Sequence, residues 1–287
     1  MITLPELSLY ISHTCDIGCD SCFTYNNLNW GGHFKPHEDL YKLKDKVYFD
    51  WITILGGEPT TNPYLNDWMK QVETVWPNHD NKWIVTNGRN LDRIPSDWPE
   101  RNWRLEISAH SPKDLSCTLA WFNNNFPKIT WKKYFDDSHE DAVWHYELSL
   151  DGKYMGKISE SWLFYKESLI AKPGQKLTWD KLYDPKESHK KCIASECMYF
   201  LEGRFYRCAR QAILPQLSKT FQIDGKYKDL ASADLGCTID EFNEWVKTRL
   251  EPQSQCAFCP WAEKITLPEV SKTKKIKVLT LSDSNSN

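Results

Sequence analysis

From Leu7 to Ile158 the chain alternates short β-rich runs with stretches of helical character, and this alternation constrains the fold more than any other feature. Leu7 to Ser12 alternates apolar and polar residues, as a half-buried strand does. A cysteine-rich loop follows, then a polar helical stretch from His37 to Lys46. Trp51 to Leu55 is a β-rich run that ends at Gly56-Gly57. Pro63 to Val75 reads as a helix with a proline near its first turn. Trp83 to Val85 and Trp103 to Ser108 are strands, the first stopped by Asn87-Gly88. Pro112 to Phe122 reads as a helix, and Ile129 to Tyr134 and Trp144 to Leu150 as strands. Asp151-Gly152 is a hairpin signal leading into Lys153 to Ile158, and Ser161 to Ile170 reads as a helix.

Strands separated by helices point to βαβ units and a mainly parallel sheet. About six strands fit in residues 1–170, too few for a closed eight-stranded barrel. The expected fold is therefore α/β, a partial (β/α)6 TIM-like barrel. Lys172-Pro173-Gly174 marks a boundary. Residues 171–265 hold six of the ten cysteines and few regular elements, so a small cysteine-rich C-terminal domain is expected there. Residues 266–287 are rich in Lys and Ser and are expected to form a mobile tail.

The bulk numbers narrow the function. With 36 basic and 39 acidic residues there is no global basic field, so no nucleic-acid partner is implied by charge. The local run Lys272 to Lys277 reads as part of a solvated tail. The N-terminus lacks a basic region followed by an apolar one, and no stretch of 18 apolar residues exists. A cytoplasmic protein with no membrane association is expected. In a reducing compartment ten cysteines point to metal ligation rather than disulfides. The 14 tryptophans read as packing residues.

Cys15, Cys19 and Cys22 have CxxxCxxC spacing. Three thiolates so close in sequence can each reach a different iron of one cubane cluster, which leaves a fourth iron open for chemistry. Gly18 eases the tight backbone. Spacing alone leaves open a structural zinc site and three unrelated buried thiols. The order of features after the loop adds to it. The second strand ends in Gly56-Gly57-Glu58-Pro59, the third in Thr86-Asn87-Gly88, and the fourth in Ser108-Ala109-His110. Parallel α/β folds build their sites at such strand ends. Two glycines let backbone approach a ligand closely, and Glu58 could accept hydrogen bonds from a ligand ammonium.

On these residues the chain resembles the radical S-adenosylmethionine (radical SAM) superfamily. The resemblance rests on Cys15, Cys19 and Cys22, on Gly56-Gly57-Glu58-Pro59, and on Asn87 and Ser108, and runs in order from residue 7 to about residue 150. One departure is Ser21 before the third cysteine, where the family often has an aromatic residue; here Phe23 follows instead. The resemblance implies a [4Fe-4S] cluster on the three cysteines, with S-adenosylmethionine chelating its open iron. Gly56, Gly57, Glu58 and Pro59 would hold the methionine end, and Asn87 and Ser108 the ribose or carboxylate. It also implies an electron donor such as a flavodoxin or ferredoxin, and a 5′-deoxyadenosyl radical that takes hydrogen from substrate.

A second cysteine set comprises Cys192, Cys197, Cys208, Cys256 and Cys259. Gly203 lies five positions before Cys208, and Phe205 and Tyr206 suit a short hairpin. The pattern resembles the twitch or SPASM-like appendage of the same superfamily, which carries an auxiliary [4Fe-4S] cluster. The longer, two-cluster form would have a cysteine where Ile265 stands, so the one-cluster form is implied. Either Cys192 or Cys197 completes a set with Cys208, Cys256 and Cys259, and a four-cysteine zinc site remains the alternative. Cys117 and Cys237 read as ordinary free cysteines.

Strand alternation supplies the substrate side. Glu106, Ser108 and His110 share one face of their strand, and His145, Glu147 and Ser149 share a face of theirs, with Lys132 and Tyr134 alongside. Glu106, His110, Lys132 and Glu147 are the candidates for catalysis. The expected activity is radical oxidation, dehydrogenation or rearrangement of a small molecule. The chain begins almost at its first strand, which favours a small substrate over a peptide and leaves peptide modification as the rival. A non-enzymatic iron–sulfur or zinc-binding module is the alternative of another class; it gives no role to Gly56-Gly57-Glu58-Pro59.

Overall fold

The structure is a computed structural model that describes residues 1–19, 21–28, 30–136, 143–160, 163–165, 168–192, 194–260, 264–266 and 276–285. Its strands are β1 (Ile2–Tyr10), β2 (Val47–Leu55), β3 (Lys82–Thr86), β4 (Trp103–Ala109), β5 (Ile129–Asp136), β6 (Val143–Leu150) and β7 (Lys153–Glu160), then the short β8 (Leu163–Tyr165), β9 (Leu169–Ile170) and β10 (Thr178–Trp179), and finally β11 (Cys197–Leu201), β12 (Arg204–Tyr206) and β13 (Lys264–Thr266). The helices are α1 (Leu65–Val75), α2 (Pro112–Asn125), α3 (Pro185–Lys190), α4 (Ala209–Thr220), α5 (Gly225–Ser232) and α6 (Phe242–Trp245).

Among the described residues, nine strands form one sheet in the order β12-β11-β1-β2-β3-β4-β7-β6-β5. From β11 to β7 every neighbouring pair is parallel. The edge pairs, β11–β12, β5–β6 and β6–β7, are antiparallel. The fold class is α/β, as expected. The expectation of simple βαβ succession holds less well. The Asp151-Gly152 turn, with φ of 51° and 79°, folds β6 back on β7. The last parallel strand, β11, comes from beyond residue 171.

One face of the sheet is apolar. In β4, Trp103, Leu105, Ile107 and Ala109 are buried while Arg104, Glu106 and Ser108 are half-buried, the period of two expected of a strand. Helix α1 covers this face through Leu65, Trp68, Met69, Val72 and Val75, spaced as one helical stripe. Each such fully buried side chain contributes about 1.5–3 kcal/mol over leaving it in water. Helix α2 starts with Pro112 in its first turn and Ser111 as N-cap, whose hydroxyl accepts from the Asp114 N–H. A second core joins Tyr25, Leu28 and Trp30 of the cysteine loop to Ile213, Leu214 and Leu217 of α4. The polar stretch after the loop is a 3-10 helix, Glu38–Leu43.

One expectation changes. Ser161 to Ile170 is not a helix where described: β8 pairs with β13 and β9 with β10. β13 lies about a hundred residues beyond β8, so no local pattern announces that pair, whereas β9 and β10 form a local hairpin around Lys172-Pro173-Gly174; residues 161, 162, 166 and 167 lie outside the described residues. The tail is packed where it is described. The Ile276 N–H donates to the Asn27 carbonyl, the Gln222 N–H donates to Leu279, and Val278 is buried. Most of the basic run, residues 272–275, lies outside the described residues. No described helix is long and apolar enough to cross a membrane.

Gly156 holds the β4–β7 pairing in a form only glycine permits. Its φ is +132°, and a Cβ there would stand 2.0 Å from the Leu105 carbonyl oxygen. Gly156→Ala is expected to lower the unfolding free energy by more than about 2 kcal/mol, read from the urea midpoint.

Candidate functional site

A cavity of about 330 Å³ opens at the C-terminal ends of the parallel strands. Cys15, Cys19 and Cys22 line it, together with Gly56, Gly57, Glu58, Asn87, Ser108 and His110. The residues singled out at successive strand ends thus line one cavity. Pro59 is buried and does not line the cavity; it opens the 3-10 turn Pro59–Thr61, for which Glu58 is the N-cap.

The two glycines are required by the chain itself. A Cβ on Gly56 would lie 2.7 Å from the Ser12 carbonyl oxygen, and one on Gly57 would lie 2.6 Å from that of Thr14. Their absence lets the end of β2 lie against the root of the cysteine loop. There the Gly57 N–H donates to Ser12 O at 2.7 Å and the Glu58 N–H to Thr14 O at 2.8 Å.

Glu58 is buried, and each of its carboxylate oxygens accepts from a backbone N–H. Oε1 takes the Thr60 N–H at 3.0 Å and the hydroxyls of Thr60 and Thr86 at 2.6 and 2.7 Å; Oε2 takes the Asn87 N–H at 2.7 Å. Burial pushes its carboxyl above the usual range, against the pull of these donors. The Asn87 side chain is also committed inside the protein. Its Nδ2 donates to Asp16 Oδ1 at 2.7 Å and its Oδ1 accepts from the Arg89 N–H at 2.9 Å. Asn90 donates to the other Asp16 oxygen at 2.9 Å, so the cysteine loop is pinned to the end of β3.

Burial pushes the Cys15 thiol up to about 12 and raises that of Cys19 strongly. A thiolate at these positions would need a cation bound beside it. Backbone N–H groups already point at two sulfurs: Ile17 to Cys15 at 3.4 Å and Asn26 to Cys22 at 3.2 Å. Among the described residues no three His, Cys, Asp or Glu side chains converge to hold a single metal ion. A cubane makes a different demand, since each thiolate takes its own iron. Three cysteines lining one cavity suit it.

Of the second set, Cys192, Cys208, Cys256 and Cys259 line one cavity of about 40 Å³. Cys197 does not; its thiol donates to Glu6 Oε2 at 3.2 Å on the neighbouring strand. The hairpin before Cys208 is present as β11–β12, turning at Glu202 and Gly203 with φ of 48° and 79°. Cys208 is the N-cap residue of α4, so the positive end of that helix faces the cysteines. Arg207, Arg210 and Arg249 line the same cavity. Burial raises the Cys208 and Cys256 thiols. Cys237 is buried elsewhere and Cys117 is exposed.

Of the four candidates for catalysis, His110 lines the first cavity and Glu106, Lys132 and Glu147 do not. These three stand in one cross-strand row with Lys157, which pairs with Glu106 at 3.2 Å and lies opposite Glu147, itself opposite Lys132. A parallel row runs Ser108, Ser159, His145, Tyr134. His145 Nδ1 meets Ser159 Oγ at 2.9 Å and its Nε2 lies 3.9 Å from Asp136 Oδ2. Burial lowers the His145 pKa, which favours the neutral imidazole. Sequence reasoning misses Ser159, Asp136 and Tyr199. The first two follow from the strand period once the register is known. Tyr199 reaches the first cavity from β11, and nothing local signals that.

No family model matches the chain. Over 97 residues it is 27% identical to an S-adenosylmethionine-dependent nucleotide dehydratase of Flammeovirga pacifica, a stretch covering 31% of this chain and 32% of that protein. The chain therefore matches about a third of that relative's length. Among solved structures it is similar to Streptococcus suis SuiB, at 19% identity and a TM-score of 0.28, over 42% of this chain and 38% of that one. The SuiB likeness is too remote to carry an argument.

The Glu58 geometry is testable. In Glu58→Gln the amide NH2 must face a backbone N–H in either orientation, that of Thr60 or that of Asn87. The variant is expected to lose about 1–3 kcal/mol of stability in chemical denaturation.

Proposed function

We propose that this chain is a radical SAM enzyme that takes a hydrogen atom from a small-molecule substrate and oxidises, dehydrates or rearranges it. The observation that carries the reading is one cavity lined by Cys15, Cys19, Cys22, Gly56, Gly57 and Glu58 together with Asn87 and Ser108. The S-adenosylmethionine dependence of the aligned relative supports it. A non-enzymatic iron–sulfur or zinc module would use the glycine pair and Glu58 only to support the loop, and gives no role to Ser108 and His110 in the same cavity.

On this reading Cys15, Cys19 and Cys22 hold a [4Fe-4S] cluster. When bound, cluster and cofactor together would supply the electron and the 5′-deoxyadenosyl radical. The chain's own residues do the rest. Gly56 and Gly57 present backbone to the methionine end, and Glu58 fixes the turn that presents it. Ser108 and His110 face the cavity from the end of β4, where adenosyl and substrate would meet. The sheet then serves as a partial barrel, with the rows behind Ser108 forming its substrate side. Cys192, Cys208, Cys256 and Cys259 hold an auxiliary cluster within a cysteine-rich unit of residues 171–265, and that cluster accepts the electron left on a substrate radical. A flavodoxin or ferredoxin reduces the first cluster. The substrate is an alcohol- or amine-bearing small molecule; nucleotides are the second class to test, on the strength of the relative's name.

Anaerobic reconstitution with iron and sulfide, reduction with dithionite, and addition of S-adenosylmethionine are expected to yield 5′-deoxyadenosine and methionine. Cys22→Ala is expected to abolish that yield. A protein that holds the first cluster and forms no 5′-deoxyadenosine would refute the enzyme reading.

The second site has its own prediction. Cys192→Ala is expected to lower bound iron from about eight to about four per chain, whereas Cys197→Ala keeps about eight. Equal losses would remove the argument from the shared cavity, and zinc in place of iron would replace the auxiliary cluster with a structural site.

A further inference from the structure

Arg210 is a buried cation, 2% exposed, in the first turn of α4. It lies two positions after Cys208 and lines the second cysteine cavity. Its Nη1 donates to the Phe258 carbonyl oxygen at 3.3 Å, and Phe258 directly precedes Cys259. The same nitrogen donates to the Tyr25 hydroxyl. Its guanidinium carbon stands 5.0 Å from the ring centre of Phe23 and 5.3 Å from that of Tyr25. Phe23 lines the first cavity, immediately after Cys22. Tyr25 is fully buried with a φ of 58°, a left-handed conformation that a bulky residue keeps only when its surroundings hold it. One side chain therefore touches the arm of the first cysteine loop and the wall of the second cysteine site.

A guanidinium taken out of water is favoured where anionic charge stands close by. A cluster held by four thiolates is anionic and gains one more negative charge on reduction. Arginine suits such a place: it stays charged, and its planar fork serves several acceptors at once.

We propose that Arg210 is a positioning residue that joins the two cluster sites. Its charge stabilises the reduced form of the auxiliary cluster, and its fork holds the Phe23–Tyr25 arm of the first-cluster loop. This rests on the reading of both cysteine sets as cluster sites.

The test uses the full chain, reconstituted anaerobically with iron and sulfide. A triple variant with Cys15, Cys19 and Cys22 each changed to Ala removes the first cluster, so that the potential of the second can be followed alone by electron paramagnetic resonance. In that background Arg210→Met is expected to shift the reduction equilibrium at least tenfold toward the oxidised form, a potential lower by about 59 mV for one electron. Arg210→Lys keeps the charge and is expected to shift it less than threefold. In the otherwise unaltered chain both variants are expected to slow 5′-deoxyadenosine formation, since both lose the hold on Tyr25. Tyr25→Phe removes only the hydroxyl, and is expected to slow that reaction while leaving the second potential where it was. It supplies a measurement even where Arg210→Met does not fold. An unchanged potential in Arg210→Met, or an unchanged rate in Tyr25→Phe, overturns the corresponding half of the proposal. If the unaltered chain binds four irons and still forms 5′-deoxyadenosine, the auxiliary-cluster reading fails and the charge role fails with it, while the enzyme reading stands.

Discussion

The buried carboxylate of Glu58 is the joint on which the candidate site depends. It receives backbone N–H groups from the turn after β2 and from the end of β3, and the hydroxyl of Thr86 besides. Water cannot serve these donors inside the protein, and each left unpaired would cost about 1–3 kcal/mol. Asn87 extends the joint: its backbone holds Glu58 and its side chain holds Asp16 between Cys15 and Cys19. Together with the close packing of Gly56 and Gly57 on Ser12 and Thr14, this sets the cysteine loop against two strand ends. The glycine-glutamate segment is therefore a structural support of the loop as well as a lining of the cavity. Both uses demand the same residues, since the backbone contact that excludes a Cβ is the one that brings β2 to the cysteines.

The first half of the fold is legible in the sequence because its information is local. β2 and β3 are β-rich runs closed by Gly56-Gly57 and Asn87-Gly88, and residues at the ends of β2, β3 and β4 line one cavity. The period of two in β4 assigns Glu106, Ser108 and His110 to the polar face without knowledge of any neighbour. What is not legible depends on pairing between distant residues. β11 joins the edge of β1, β8 pairs with β13, and Tyr199 reaches the first cavity as a consequence. The choice between Cys192 and Cys197 is of the same kind. Spacing treats them alike, whereas the register of β11 on β1 sets Cys197 beside Glu6 and away from the cavity that Cys192 lines.

The polar face of the sheet raises a question of energetics that the cross-strand rows answer. A sheet face is apolar where it is shielded from water, because charged groups there are costly; the charged row here is only half-buried, with Glu106 and Lys157 partly exposed and Lys132 exposed. In this chain the charges come in register. Glu106, Lys157, Glu147 and Lys132 alternate in sign across four strands, so neighbours in the row are opposite in charge. Glu6 likewise accepts from Ser8, Thr53 and Cys197 on its own and adjacent strands. Such a face stays polar at limited cost, because its charges are paired rather than bare.

The loop that carries the first cysteines has two sides with different owners. Its inner side faces Gly56, Gly57 and Glu58. Its outer side, through Tyr25, Leu28 and Trp30, belongs to the core built on α4, and the Asn27 carbonyl accepts from Ile276 near the C-terminus. The conformation of the loop is thus settled by residues that follow it by nearly the whole length of the chain. Loop closure over such distances carries an entropy cost that only substantial burial offsets. Tyr25, Leu28, Leu214 and Leu217, each fully buried, supply it. The first cysteine loop and the region around the second cysteine set are consequently ordered by one core, and a change in α4 reaches both.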